Sequence, residues 1–226
     1  MYQIDVVDLV NGKRIALCAL ADIPNPHLQF DPGNPDKLLV QVNRGSKFTA
    51  STGLTRLSGP RGATLCLVDV PSGNITPLPV GMPSTPMISG HSTWAGRSGG
   101  LVFTTAPGVA DSLLANTGVF RLASGADKPV QIVSGQRFNH LAISDDGKFF
   151  IVDDYGTQSI QIGSVETGRF LELCDSRTRQ GKPQYTHAHS YLTPDNRHVI
   201  FNSNVTGVTQ VYAATVPSGF LEKLAK

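Results

Sequence analysis

The sequence predicts an all-β chain organised as a β-propeller. Three observations predict it. Val, Ile, Thr, Phe and Tyr fall in short runs broken by Gly, Asn, Asp and Pro, which is the composition of strands and turns. No long stretch carries helical periodicity. One structural unit recurs four times, marked each time by a histidine, and a repeat of this kind sets the whole architecture.

The repeat runs as follows. His27-Leu28-Gln29-Phe30, His91-Ser92-Thr93-Trp94, His140-Leu141-Ala142-Ile143 and His189-Ser190-Tyr191-Leu192 each set a His three positions before a large apolar residue. A turn follows in every case: Asp31-Pro32-Gly33-Asn34, Ala95-Gly96-Arg97-Ser98, Ser144-Asp145-Asp146-Gly147 and Thr193-Pro194-Asp195-Asn196. An apolar strand comes next, at Leu38-Leu39-Val40, Leu101-Val102-Phe103, Phe149-Phe150-Ile151-Val152 and Val199-Ile200-Phe201. Five hairpins of a second kind interleave with these. They cover residues 2–18 around Asn11-Gly12, 63–79 around Pro71-Ser72-Gly73, and 117–133 around Ser124-Gly125. The last two are 158–174 around Glu166-Thr167-Gly168, and 209–225 around Pro217-Ser218-Gly219 with a final strand from Phe220.

A four-stranded unit that cannot bury both faces alone is a propeller blade. The His-bearing hairpin is its inner pair and the other hairpin its outer pair. Inner strands line the central channel, so four in-register histidines converge at one mouth. In a solenoid or sandwich they form a row instead. The count gives about four and a half blades in one domain, 1–226, whose first 18 residues are the outer half of an incomplete blade. Residues 45–62 are a Ser/Gly/Arg-rich insertion, either a site-serving loop or plain surface.

Composition excludes several classes. A net charge of +2 is too small to argue for nucleic acid. No apolar run approaches the ~18 residues of a membrane span. Cys18, Cys66 and Cys174 are odd in number and sit in strand-like runs, which predicts free thiols rather than a disulfide scaffold.

The chemistry concentrates in Gln184-Tyr185-Thr186-His187-Ala188-His189. On a strand, His187 and His189 share a face, because side chains alternate. With the Gln184 amide oxygen they can close around one divalent ion, and such donors suit Mn, Fe, Ni or Zn better than Ca or Mg. The competing reading is a polar strand start bonded to backbone, since His-x-His alone is a weak signal. His198, in Asn196-Arg197-His198, reads as a solvated turn residue.

The order Asn25-Pro26-His27-Leu28-Gln29-Phe30-Asp31-Pro32, Gly90-His91-Ser92-Thr93-Trp94, Asn139-His140-Leu141 and Gln184-x-x-His187-x-His189 resembles the oligogalacturonate lyase family. The run from Thr193-Pro194-Asp195 to Gln210-Val211-Tyr212 is similar to that family's last blade. The resemblance implies an open arc of a seven-bladed propeller, incomplete at its N-terminus, and a cytoplasmic enzyme. It implies a Mn²⁺ ion held by His140, Gln184, His187 and His189, with His91 as catalytic base. It also implies an arginine near the base; Arg61 is the nearest candidate, and Arg44 and Arg56 are its rivals. His27 either touches substrate at the same mouth or packs at the blade edge.

The implied reaction fits these residues. Oligogalacturonides break by β-elimination when a base takes the C5 proton, α to the carboxylate, and the O4 bond cleaves. A cation on the carboxylate makes that proton more acidic, and an imidazole has a proton affinity suited to the base. The alternatives are a non-catalytic propeller binding platform and an inactive truncated lyase. A metal-dependent lactonase is disfavoured, because no Asp or Glu stands beside the in-register histidines.

Overall fold

The computed structural model describes residues 1–49, 51, 53–106, 117–179 and 184–226. The chain divides into two compact units, Met1–Gly90 and His91–Lys226. Both are built from antiparallel strands.

In the first unit, β1 (Tyr2–Val7) and β2 (Arg14–Leu20) form the predicted hairpin. Its turn is closed by Asp8 N–H donating to Lys13 O at 2.9 Å. The inner pair β3 (Gln29–Asp31) and β4 (Asn34–Asn43) follows. The insertion then folds into a small hairpin of its own, β5 (Lys47–Thr49) with β6 (Gly53–Arg56). The outer pair β7 (Ala63–Asp69) and β8 (Ile75–Pro77) completes a blade in the order β3-β4-β7-β8. Ile4, Leu17, Ile23, Leu38, Val40, Cys66 and Val68 form one buried cluster between the β1–β2 hairpin and this blade. The base of the insertion is pinned by Arg44. Its guanidinium donates to the carbonyls of Gly62 (3.1 Å), Met82 (2.6 Å), Ala63 (3.3 Å) and Arg61.

In the second unit, β9 (Ile88–Trp94, beginning just before the division), β10 (Leu101–Thr105), β11 (Gly118–Leu122) and β12 (Val130–Ser134) form one four-stranded blade. β13 (Phe138–Ile143), β14 (Phe149–Asp154), β15 (Ser159–Ser164) and β16 (Phe170–Asp175) form the next. β17 (Tyr191–Leu192), β18 (His198–Ser203) and β19 (Gln210–Thr215) form a third sheet. The way β14 is buried shows why it reads as one unbroken apolar run. Phe150 and Val152 pack with Val102, Val119 and Val133 of the preceding blade. Phe149 and Ile151, on the opposite face, pack with Leu192, Val199 and Phe201 of the following one. A strand covered on both faces has no polar side to alternate with.

Three sequence expectations are corrected here. Residues from Phe220 form a short helix, α1 (Phe220–Leu224), instead of a fourth strand. Gly219 turns the chain at φ 76°, Leu, Glu and Lys favour helix, and Leu224 is drawn into the core with Ile160 and Ile162. Its carbonyl accepts Thr167 Oγ1–H at 2.8 Å. His187 and His189 do not lie on a strand: a single 3-10 turn, Gln184–Thr186, precedes them and β17 begins only at Tyr191. His198 is half-buried and starts β18. All three cysteines are free, as expected. Among the described residues no helix is long and apolar enough to cross a membrane.

Candidate metal centre

The site is built on a defect in a strand pair. Along β13 and β14, Phe138 pairs with Asp154 and Leu141 with Val152, so Asn139 and His140 together face Asp153 alone. This bulge re-aims the side chain it displaces. The His140 backbone N–H donates to Asp153 Oδ1 at 2.7 Å, and His140 Nδ1 lies 2.8 Å from Asp153 Oδ2. Both side chains are buried, at 7% and 1% exposed. With Nδ1 committed to the carboxylate, Nε2 is the nitrogen His140 has left to offer.

His187 and His189 reach His140 from the next sheet. Ala188, between them, is buried in the core shared with the preceding blade, and its carbonyl accepts Asn202 N–H at 2.8 Å. His189 takes a left-handed backbone angle, φ 43°. Anchoring the middle residue and twisting the next one brings both rings to the same side, 5.9 Å apart and nearly parallel at 17°. Their centroids lie 5.2 Å (His187) and 3.8 Å (His189) from that of His140.

Each of the three offers one ligand nitrogen, and these all lie within 4.8 Å of one another. Nitrogens 2.0–2.1 Å from a common ion lie about 3–4 Å apart, so a small inward movement of the rings brings the three onto one ion. Among the described residues the donors that come together are imidazoles, which suit a transition ion over Ca or Mg. Burial, then the nearby His140, lowers the His189 pKa and favours its neutral, ligating form. His91, on β9, sets its ring edge-on to His140 at 4.5 Å and 62°, outside the group of three. Three successive sheets therefore bring four imidazoles together.

No family model matches the chain. It is 28% identical over 104 residues to the oligogalacturonate lyase of Dickeya dadantii (strain 3937). It is 30% identical over 104 residues to the oligogalacturonide lyase of Pectobacterium atrosepticum. This chain is related to the oligogalacturonate lyases. Each match covers 44% of the chain and 23% of the relative, under a quarter of those proteins' own length. The fold agrees: an oligogalacturonate lyase in complex with manganese superposes with a TM-score of 0.71 at 16% identity, over 95% of this chain and 54% of that one. TolB from Acinetobacter baumannii superposes with a TM-score of 0.63 at 12% identity, over 94% and 46%. The lyase-related chain is thus a β-propeller that spans about half the length of the manganese-bound structure.

The other residues implicated by the lyase resemblance divide sharply. The Gln184 side chain lies outside the described residues. His27 belongs to the first unit and is half-buried, with burial lowering its pKa. It repeats the His189 geometry, at φ 44° and one residue after a carbonyl, Pro26 O, that accepts Gln41 N–H at 2.7 Å. Of the three arginines, Arg44 is spent on backbone carbonyls, and Arg56 donates twice to Gly45 O, at 3.0 and 2.7 Å. Arg61 is exposed, and the fold uses its carbonyl. Asp153 is a site residue that the spacing of the histidines does not reveal. No carboxylate stands within the His register, but this one reaches His140 across the strand pair.

Proposed function

We propose that this chain carries a metal-assisted β-elimination site for oligogalacturonides, the substrate class of the lyases it is related to. The observation that carries the reading is the convergence of His91, His140, His187 and His189 from three successive sheets. His140, His187 and His189 would hold a divalent ion of the Mn²⁺ class. When bound, the ion supplies positive charge to the uronate carboxylate and so stabilises the carbanion-like transition state.

His91 is the base. Its ring stands edge-on to His140 at 4.5 Å, beside the ligand group, which sets an imidazole next to the place where a metal-bound uronate would present its C5–H. It takes the C5 proton, the electron pair forms the C4=C5 double bond, and the O4 bond breaks, with solvent protonating the leaving oxygen. Arg61, an exposed residue, is the arginine proposed to meet a uronate carboxylate.

The test pairs absorbance of the unsaturated uronide product with metal content. His91→Ala is expected to abolish product while leaving bound Mn²⁺ intact, and His140→Ala to lose both. Protein that binds no stoichiometric transition metal and forms no product would make the histidine cluster part of a binding platform instead.

A further inference from the structure

We infer that Asp153 is the positioning residue of the metal centre: it holds His140 as the Nδ1–H tautomer, so that Nε2 carries the lone pair offered beside His187 and His189. The inference rests on the metal reading above, but the tautomer can be read without any metal.

The geometry asks for a carboxylate at this position. Asp153 uses both oxygens as acceptors, Oδ1 for the His140 backbone N–H at 2.7 Å and Oδ2 for Nδ1–H at 2.8 Å. It is fully buried, so neither oxygen is shared with bulk water. The only other polar group placed on Nδ1 among the described contacts is the Asn139 amide, at a longer 3.3 Å. An amide donor there would ask Nδ1 to accept, and the shorter carboxylate contact overrides it, because hydrogen bonds to an ionised acceptor are the stronger kind.

The repeat sharpens the point. Counting two residues along the second strand from the pairs Gln29↔Leu39, Ala142↔Ile151 and Tyr191↔Ile200 gives Gln41, Asp153 and Asn202. This place behind each histidine is polar every time, yet among these three only β14 supplies a carboxylate. An amide carries one acceptor atom and one donor group, where a carboxylate carries two acceptor atoms. It cannot accept at both atoms as Asp153 does, and Gln41 donates through Nε2 to Asn25 O at 3.2 Å. The bulge that sets Asn139 and His140 opposite Asp153 is the local device that brings ring and backbone N–H onto the same carboxylate.

Asp153→Asn is therefore not a conservative change. The backbone N–H of His140 needs the amide oxygen, which leaves the NH₂ facing Nδ1. Nδ1 must then accept, the ring hydrogen moves to Nε2, and a protonated Nε2 cannot be a ligand. Metal-free protein labelled with ¹⁵N-histidine reads the tautomer directly through two-bond nitrogen–proton couplings. Wild type is expected to show His140 with hydrogen on Nδ1, and Asp153→Asn with hydrogen on Nε2. Titration with Mn²⁺, followed by the electron paramagnetic resonance of the free ion, is expected to show affinity weakened about 10- to 100-fold, the usual effect of losing such an outer partner. Asn139→Ala should change neither readout. Hydrogen on Nε2 in wild type overturns the inference, and that measurement needs no variant to fold. Unchanged Mn²⁺ affinity in a folded Asp153→Asn protein overturns it too. Failure of the metal reading shows separately, as no Mn²⁺ uptake by wild type, while the tautomer pair still decides what Asp153 does to the ring.

Discussion

A histidine at φ 43° is an unusual choice, because left-handed backbone is rare outside Gly and Asn, and this chain makes it twice, at His27 and His189. The sequence carried the spacing of both residues but not their backbone angle, so a strand was the natural expectation for His187-Ala188-His189. His27 gives a pH test of its own. Burial lowers its pKa in the folded chain, so the unfolded chain binds that proton more readily. Its contribution to stability is therefore full above the ordinary imidazole value of ~6.5 and declines as pH falls through that value towards the lower folded one. Melting temperatures on either side of that value should show a smaller acid loss for His27→Gln than for wild type; an identical loss would clear His27 of the effect. Cys66 offers a second residue-scale test. Burial, and then the neighbouring Cys18, push its thiol up to about 11. At about pH 8 it stays protonated, and the thiolate is the reactive form. A thiol-specific disulfide reagent should leave Cys66 unlabelled in native protein and label all three cysteines in urea.

At the scale of elements, the strands were legible where burial dictates composition and illegible where a neighbour does. β14 could be read from Phe149-Phe150-Ile151-Val152 because both its faces are covered. The α1 helix could not, since the pull on Leu224 comes from residues of another blade, and Asp153 could not, since its partner lies across a bulged strand pair that one-dimensional spacing does not show. Cross-strand packing also sets the cost of substitutions. Gly163 pairs directly with Phe150, and a Cβ on Gly163 would stand 2.0 Å from Phe150 Cζ. Phe150 is wholly buried and has no room to withdraw. Gly163→Ala is expected to cost about 2–3 kcal/mol, within the range for overpacking a dense core, measured as a lowered urea midpoint with an unchanged slope. At Gly125, where an added Cβ meets nothing within 4 Å, the penalty is only that of φ 72°, so Gly125→Ala should cost less.

For the molecule as a whole, the repeat was the most informative feature of the sequence, because it predicted convergence of residues as far apart as His91 and His189. Its physical content is that each inner strand begins at the same place in its blade. The structure adds a division that the repeat hides: the described core clusters fall within Met1–Gly90 or within His91–Lys226, and all three imidazoles of the ligand group belong to the second unit. A ligand stabilises only the states that bind it, by about 2.7 kcal/mol at a hundredfold excess over Kd. Amides that exchange through local or subglobal opening of the second unit should therefore slow when Mn²⁺ is added, most of all in β13, β14 and β17, next to the histidines. Amides of β3, β4, β7 and β8, in the unit that holds none of the three imidazoles, should exchange as before wherever they open without the second unit. Hydrogen exchange read by mass spectrometry, with and without Mn²⁺, checks this region by region. Protection concentrated in the second unit places the ion at the imidazoles, whereas protection centred on Met1–Gly90 would move the metal site away from His140, His187 and His189 altogether.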